Sequence, residues 1–559
     1  MSRFNKAGTR PATGTSPLVA QRDPGTTTYA GAQGTGRDLK TELFLLAVAS
    51  LGTDTFYETG GQRDDRYTDL VRAAAVAHPV WTAGFLAWLR TGASMRTAAI
   101  VGAAEYVRGR LEHGSEQPLP RRDHVTEGTD SLSYSIATNR RVIDSVLQRA
   151  DEPGELIAYW TARYGKALPK PVKRGIADAV QRLYTERNLL KYDTASKGWR
   201  FGDILDLVHP APAAPWQGDL FKLALDRRHG RDDVMIPGSL PMLIANLQLR
   251  LDARGNLAVL GDRERLAEAG MTWEDALSLA GRAADKQALW EALIPSMGMM
   301  ALARNLRNFD EAGVTDESAA AVIARFTDHA QVAKSRMLPF RWLAAYRHAP
   351  SLRWSYPLEQ ALNASLSNVP ALDRRTLILV DRSPSMFPGY HYSTANRSDI
   401  SLADQAAVFG AALASRAADP TLVEFGGESK PIGVKAGEGV LKLVEKFGQI
   451  NGTDIPSAVR EHFAGHDRVV IITDEQTRAG WLPSNMAADG GGREARIDDL
   501  IPATTPVYLW NMAGYKPGAL QTGTNRHLFG GLTDQSFGMI PLLERGRAAS
   551  WPWATYPEE

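Results

Sequence analysis

The chain has 559 residues, a formal net charge of +1, 44% apolar and 23% charged residues, and no cysteine. It is too long for one ordinary core, and the missing thiols exclude disulfides, thiolate zinc sites, iron–sulfur clusters and cysteine nucleophiles, leaving oxygen or imidazole to hold any metal. No apolar run approaches the roughly 18–20 residues that span a bilayer, so no membrane segment is expected.

Residues 1–30 are rich in Gly, Thr and Pro and lack an apolar segment, so a disordered leader is expected there, not a signal peptide; a cytoplasmic location follows. From 31 to 368 the pattern is helical. "LKTELFLLAVASL", "YTDLVRAAAVA", "PVWTAGFLAWLR", "RRVIDSVLQRA" and "DESAAAVIARFTDHAQVAKS" carry apolar residues three and four apart. Medium-length amphipathic helices in series fit stacked, HEAT-like helical pairs, although no strict period is present.

Between Arg163 and Arg200 there are ten basic residues and three acidic ones, a local patch in a chain that is not basic as a whole. Within it, "LPKPVKRGIADAVQRLY" has a Pro near the first helical position, and Val172, Ile176, Val180 and Leu183 then make one apolar stripe. Lys170, Lys173 and Arg174 therefore crowd the opening of the helix. Cations there oppose the helix dipole by about 0.3–1 kcal/mol each, so the placement is unfavourable until an anion binds. Free amides plus three cations make a phosphate site. The bland reading of such a run is a solvated charged face. Trp199, Arg96, Arg304 and Arg307 are weaker candidates, since a lone Trp usually serves a core and helix arginines usually serve packing.

From 369 to 559 the pattern changes. Short β-rich runs, "RTLILV", "TLVEF", "DRVVIIT", "TPVYLW" and "RHLFGG", alternate with helical ones, which predicts a doubly wound α/β domain with a mostly parallel sheet. Ligands of such sheets sit at the carboxyl ends of the strands. Asp381 lies at one such end, followed by Ser383 and Ser385; Thr453 lies in a Gly-Thr loop opening a helix; Asp474 ends another strand. Two carboxylates and three hydroxyls suit a hard divalent cation that keeps some waters. A turn alone would also explain "DRSPSM". An aspartyl-phosphate hydrolase would want a carboxylate where Ser383 stands.

The set Asp381, Ser383, Ser385, Thr453 and Asp474 resembles the metal-ion-dependent adhesion site of the von Willebrand factor A family. The resemblance implies Mg2+, with Ca2+ or Mn2+ as alternatives, and one open coordination position that a partner's carboxylate fills. The helical part resembles the TROVE module of the Ro ribonucleoproteins in "DTFYETGGQRDDRYTDLV", "YGKALPKPVKRGIADAV", "KGWRFGDILDLVHP", "WEALIPSMGMMALARNLRNFDEAGV" and "KSRMLPFRWLAAYR". This implies a monomeric helical ring closed by an A-domain. Such a protein is non-catalytic, binds Y-like RNA on its outer basic surface and takes single-stranded ends of misfolded RNA into its hole. On this chain the RNA residues would be Lys166, Lys170, Lys173, Arg174, Arg200 and His209, the last at a position where the family pattern carries a His. An exoribonuclease such as polynucleotide phosphorylase is the implied partner, and neither DNA nor membrane is expected. "PKPVK" departs from the family pattern, and 391–400 has no counterpart in it. A protein-binding adaptor, with the solenoid gripping a partner and the A-domain capturing a carboxylate, is the competing reading. A metal-dependent nuclease lacks the clustered His and carboxylates it would need.

Overall fold

The computed structural model describes residues 15–553, apart from 50–54, 114–136, 195–196, 232–234, 282–283, 350, 367–368, 388–399, 479, 483–492, 517, 532–539, 542 and 546–549. Two compact units emerge. One comprises residues 1–74, 338–344 and 362–559, and the other 75–337 and 345–361. The second junction falls near the boundary expected at 368–369. The first does not, because the chain's opening part belongs with its closing part. Within it Ala20–Thr27 (β1) is a strand paired antiparallel with Gln33–Arg37 (β2), where composition alone predicts a leader without order.

The α/β unit is built on a six-stranded sheet. In chain order its strands are β3 (Leu372–Asp381), β4 (Ala417–Phe425), β5 (Ser429–Ile432), β6 (Arg468–Thr473), β9 (Val507–Asn511) and β10 (Arg526–Gly530); a small separate ribbon pairs β7 (Gly480–Leu482) with β8 (Arg493–Ala495). The spatial order is β10-β9-β6-β3-β4-β5, parallel except for β5. Leu377–Val380 and Val469–Ile471 have no exposed surface, the continuous apolar run expected of parallel strands covered on both faces. From β3 the chain winds to β4 on one side, then to β6, β9 and β10 on the other. The crevice between β3 and β6 is therefore the switch point, where such sheets bind ligands.

In the helical unit, helices close in the chain pack on one another: Pro79–Thr91 on Arg96–Glu112, Arg96–Glu112 on Asn139–Val146, Asn139–Val146 past Glu152–Tyr164 on Lys170–Leu183, and Phe201–Val208 on Pro215–Arg228. Their lengths run from six residues (Arg263–Glu268) to 17 (Arg96–Glu112), in keeping with a sequence that lacks a strict period. Tyr184 stacks on Phe201 at 3.7 Å, and Glu152, fully buried, accepts hydrogen bonds from Arg90 (2.6 Å), Arg96 (2.9 Å) and the amides of Gln148 (2.6 Å) and Arg149 (2.9 Å). Gly175 faces the helix Asn139–Val146 so closely that a Cβ would lie 2.5 Å from the Arg140 carbonyl and 2.7 Å from Ile143 Cβ. Backbone cannot step aside as a flexible side chain can. Gly175→Ala is therefore expected to cost about 1–3 kcal/mol, as overpacking does, and to lower the melting temperature of the helical unit. An unchanged melting curve would mean that the two helices separate freely.

Candidate functional site

β3 ends on Asp381, and the backbone then turns on that carboxylate: Ser383 N–H donates to Asp381 Oδ1 at 2.8 Å. Such aspartate-based turns need no other support. One turn of 3-10 helix, Pro384–Met386, follows and sets Ser385 Oγ 3.1 Å from Ser383 Oγ. Across the switch point, Thr473 closes β6 and donates its hydroxyl to Asp381 Oδ2 at 2.6 Å. Asp474 comes next, with Gln476 N–H on its Oδ1 at 3.0 Å. The loop carrying Thr453 is fastened alongside by Ile450 N–H to the Arg382 carbonyl (3.0 Å) and by Arg478 N–H to the Thr453 carbonyl (2.9 Å). Gly452, at φ +74°, makes the left-handed step that a side chain would resist.

Asp381 and Asp474 are both fully buried. Among the described residues neither has an arginine or lysine partner: Arg382 turns its guanidinium to the Gly448 (2.5 Å) and Ala403 (2.6 Å) carbonyls, and Arg37 pairs with Glu475. Among the described residues Asp474 Oδ2 has no hydrogen-bond partner. Burial first, and then the charge of Asp381, raise the Asp474 carboxyl to about 7, and burial raises Asp381 as well. An orphaned oxygen between two buried carboxylates, rimmed by hydroxyls, fits a hard divalent cation. No group of three or more His, Cys, Asp or Glu placed to hold a metal exists among the described residues, so hydroxyls have to complete such a site.

A proton and a cation compete for the same oxygens, which gives the site a pH dependence. With its carboxyl raised, Asp474 favours the metal-free fold when protonated, below pH about 4, and that contribution disappears as pH rises through about 7. Magnesium affinity should therefore fall between pH 8 and pH 6, well above the range in which ordinary carboxylates titrate. Titrations at pH 8, 7 and 6 check this; constant affinity across them would rule out Asp474 as a ligand.

In the helical unit the basic helix runs from Lys170 to Leu183, with Pro169 as N-cap, Pro171 in its first turn, no capping side chain and no acidic residue in that turn. Val172, Ile176, Val180 and Leu183 are buried, as their spacing predicts, while Lys166, Lys170 and Arg174 are exposed and Lys173 is half-buried. None of these four cations has a carboxylate partner among the described residues, whereas Arg182 pairs with Asp144 at 2.8 Å and Lys197 with Asp151 at 3.2 Å. Arg200 is engaged with Asp193 at 2.8 Å, and Arg96 with Glu152 at 2.9 Å. His209 is the exposed, left-handed C-cap of Phe201–Val208 (φ 50°), lining an open groove of about 710 Å3 with Lys222, His229 and Arg231. Arg304 and Arg307 are exposed and Trp199 is half-buried. The segment 391–400 lies outside the described residues except for Ile400.

Residues 242–353 match the TROVE domain family. The whole chain is similar to the crystal structure of the Deinococcus radiodurans Ro (RSR) protein, with a TM-score of 0.56 over 91% of this chain and 100% of that one, at 18% sequence identity. The family match thus covers part of the helical region, and the chain shares the fold of that Ro protein. No curated protein matches its sequence. The TROVE match lies C-terminal to the basic helix, almost entirely in the helical unit. No described helix is long and apolar enough to cross a membrane.

Three residues beside the metal set escape sequence reasoning. Glu475 follows Asp474 in a left-handed conformation (φ +67°), held by Arg37 (2.6 Å), Asn511 Nδ2 (2.7 Å) and Ala519 N–H (2.6 Å). Burial, and then the charge of Asp474, push the Tyr57 hydroxyl up to about 12. Arg37, Tyr57 and Glu475 meet only through the fold. The one local signal is the bulky "FYE" of 56–58 in an otherwise polar stretch.

Proposed function

We propose that this Ro-like chain is a non-catalytic RNA-binding scaffold whose helical unit holds RNA by its phosphates. The reading rests on the opening of the basic helix. Lys170, Lys173 and Arg174, with Lys166 just upstream, carry uncompensated charge beside uncapped amides, an arrangement that folding alone gives no reason to keep. The finer reading follows the Ro resemblance: a monomeric ring of HEAT-like helical pairs that binds Y-like RNA outside, with His209 and Arg200 at the edge of the contact. Single-stranded ends of misfolded RNA enter its centre, and an exoribonuclease such as polynucleotide phosphorylase works on them in the cytoplasm. In the α/β unit Asp381, Ser383, Ser385, Thr453 and Asp474 would hold Mg2+, or Ca2+ or Mn2+. The cation supplies a Lewis-acidic position that accepts an oxyanion from a partner.

On this view the two units do separate jobs. Asp381→Ala should leave affinity for structured RNA within about twofold of wild type, while binding of magnesium, and of any protein that needs it, is lost. RNA and magnesium titrations on the one variant test the division. A collapse of RNA affinity with the fold intact would place the carboxylates in the RNA site. The adaptor reading draws on the same carboxylates: if RNA binding by the wild type is weak and insensitive to salt, while a carboxylate-bearing protein binds only with magnesium, that reading takes over.

A further inference from the structure

The β1–β2 hairpin is fastened to the closing part of the α/β unit at both ends. Thr28 donates its hydroxyl to the Thr477 carbonyl (2.6 Å), Tyr29 N–H donates to Gln476 Oε1 (2.9 Å), and Arg37 bridges Glu475 (2.6 Å) and the Tyr515 carbonyl (2.6 Å). Residues 475, 476 and 477 are thus each gripped from the hairpin. Thr35 N–H donates to the Gly518 carbonyl (2.9 Å) and Ala20 N–H to the Thr522 hydroxyl (2.8 Å). Between these fastenings the packing is incomplete. A cavity of about 30 Å3 remains, and Arg22, Thr35, Thr477, Arg496 and Asp498 are among the residues that line it. It has room for about two waters, or for one compact anion.

The side chains around it are rich in unused donors. Arg22 of β1 and Thr35 of β2 stand directly opposite in the antiparallel register, so their side chains leave the hairpin on one face. Thr35 is buried, at 4% exposure, and its hydroxyl has no hydrogen-bond partner among the described residues. Arg496 comes from the other wall: a terminal nitrogen donates to Gln33 Oε1, while its Nε–H is buried without an acceptor. Neither Arg22 nor Arg496 has a carboxylate partner among the described residues. The side-chain acceptors nearby are already engaged. Asp498 holds Arg526 at 2.7 Å, and Thr477 Oγ1 accepts from Ile455 N–H (3.0 Å) and donates to the Arg478 carbonyl (3.2 Å). Buried donors without acceptors are costly, and water would satisfy them while leaving two guanidinium charges unbalanced. A tetrahedral dianion answers both needs, since guanidinium groups match its oxygens with paired N–H contacts. A carboxylate would bring half the charge.

We propose that this cavity is an oxyanion site, in which Arg22, Thr35 and Arg496 hold a phosphate or sulfate group that clamps the hairpin to the rest of the α/β unit. The site is separate from the metal set and from the basic helix, and the experiment keeps it so. The full chain carries Lys170→Ala, Lys173→Ala and Arg174→Ala and is kept in EDTA, so neither the basic helix nor a cation takes up the probe. Inorganic phosphate at pH 8 should bind once per chain and raise the melting temperature. Arg22 is exposed, so adding Arg22→Gln spares the fold while lowering phosphate affinity about tenfold, the usual size for one hydrogen bond to a charged group. Thr35→Val, which keeps the shape and removes the hydroxyl, should lower it about fivefold. AMP tells the sources of the group apart: binding equal to that of phosphate brings it in on an ester, and binding tenfold weaker leaves the free ion. No phosphate binding below about 10 mM overturns the proposal. So does an affinity that Arg22→Gln leaves unchanged, or acetate binding as tightly as phosphate.

Discussion

Replacing Lys170, Lys173 and Arg174 together by alanine is expected to lower affinity for structured RNA about 100-fold at 0.15 M salt. Each phosphate contact contributes roughly 0.9 to the slope of log affinity against log salt on a duplex, so three contacts account for a slope of about 2.7 and, extrapolated from 1 M, for about two decades. The variant should therefore be weaker and also less sensitive to salt. Stability should hold or rise slightly, because the three cations sit at the wrong end of the helix dipole and have no carboxylate partners among the described residues. Filter binding from 0.05 to 0.4 M salt measures both quantities. Equal slopes for variant and wild type would remove this helix from the RNA contact, whatever happened to the affinity itself.

The second large effect changes sign with the metal. Asp474→Asn removes a buried charge whose Oδ2 has no partner among the described residues and which faces the equally buried Asp381. Without metal at pH 8 the variant should melt higher than wild type, since like charges no longer share the crevice. With magnesium the order should reverse. At a concentration of 100 times Kd the wild type gains about 2.7 kcal/mol, which for a unit of this size is a rise of about 5–10 °C, and the variant gains nothing. Melting curves with EDTA and with magnesium decide it. A variant that is less stable than wild type in EDTA and still rises with magnesium would mean that the carboxylate serves the fold and not a cation.

Much of the α/β unit is legible in the sequence because its central strands are buried on both faces. Such strands read as unbroken Val, Ile and Leu runs, and β3, β4, β6, β9 and β10 fall on the runs named from the sequence. The candidate metal set is visible in the sequence for a related reason. Asp381, Ser383 and Ser385 lie within one turn, and Thr453 and Asp474 each sit at a recognisable loop or strand end. β1 and β2 are not legible. Outside Ala20, the residues of β1, "AQRDPGTT", lie on the surface, so no alternation of apolar and polar marks it, and its Pro and Gly argue against a strand. Arg37, Tyr57 and Glu475 are hidden by distance along the chain. A basic residue in a Gly-rich stretch gives no sign that its partner lies 438 residues away. In the helical unit the start of the basic helix is readable from Pro169 and Pro171, but the pairing of Arg200 with Asp193 is not, because a run of cations looks equally free throughout.

That separation of 438 residues between Arg37 and Glu475 bears on how the protein is made. At about 5–20 residues per second, a ribosome needs roughly 20–90 s to pass from one to the other. For that time the β1–β2 hairpin has left the ribosome and the loop it grips, 475–477, does not yet exist. A long apolar strand left waiting that way would recruit the nearest open edge, including that of another nascent chain. This one is short, carries an arginine, an aspartate and a proline, and turns almost all its side chains to water. The features that hide it from the sequence reader are those that let it wait alone.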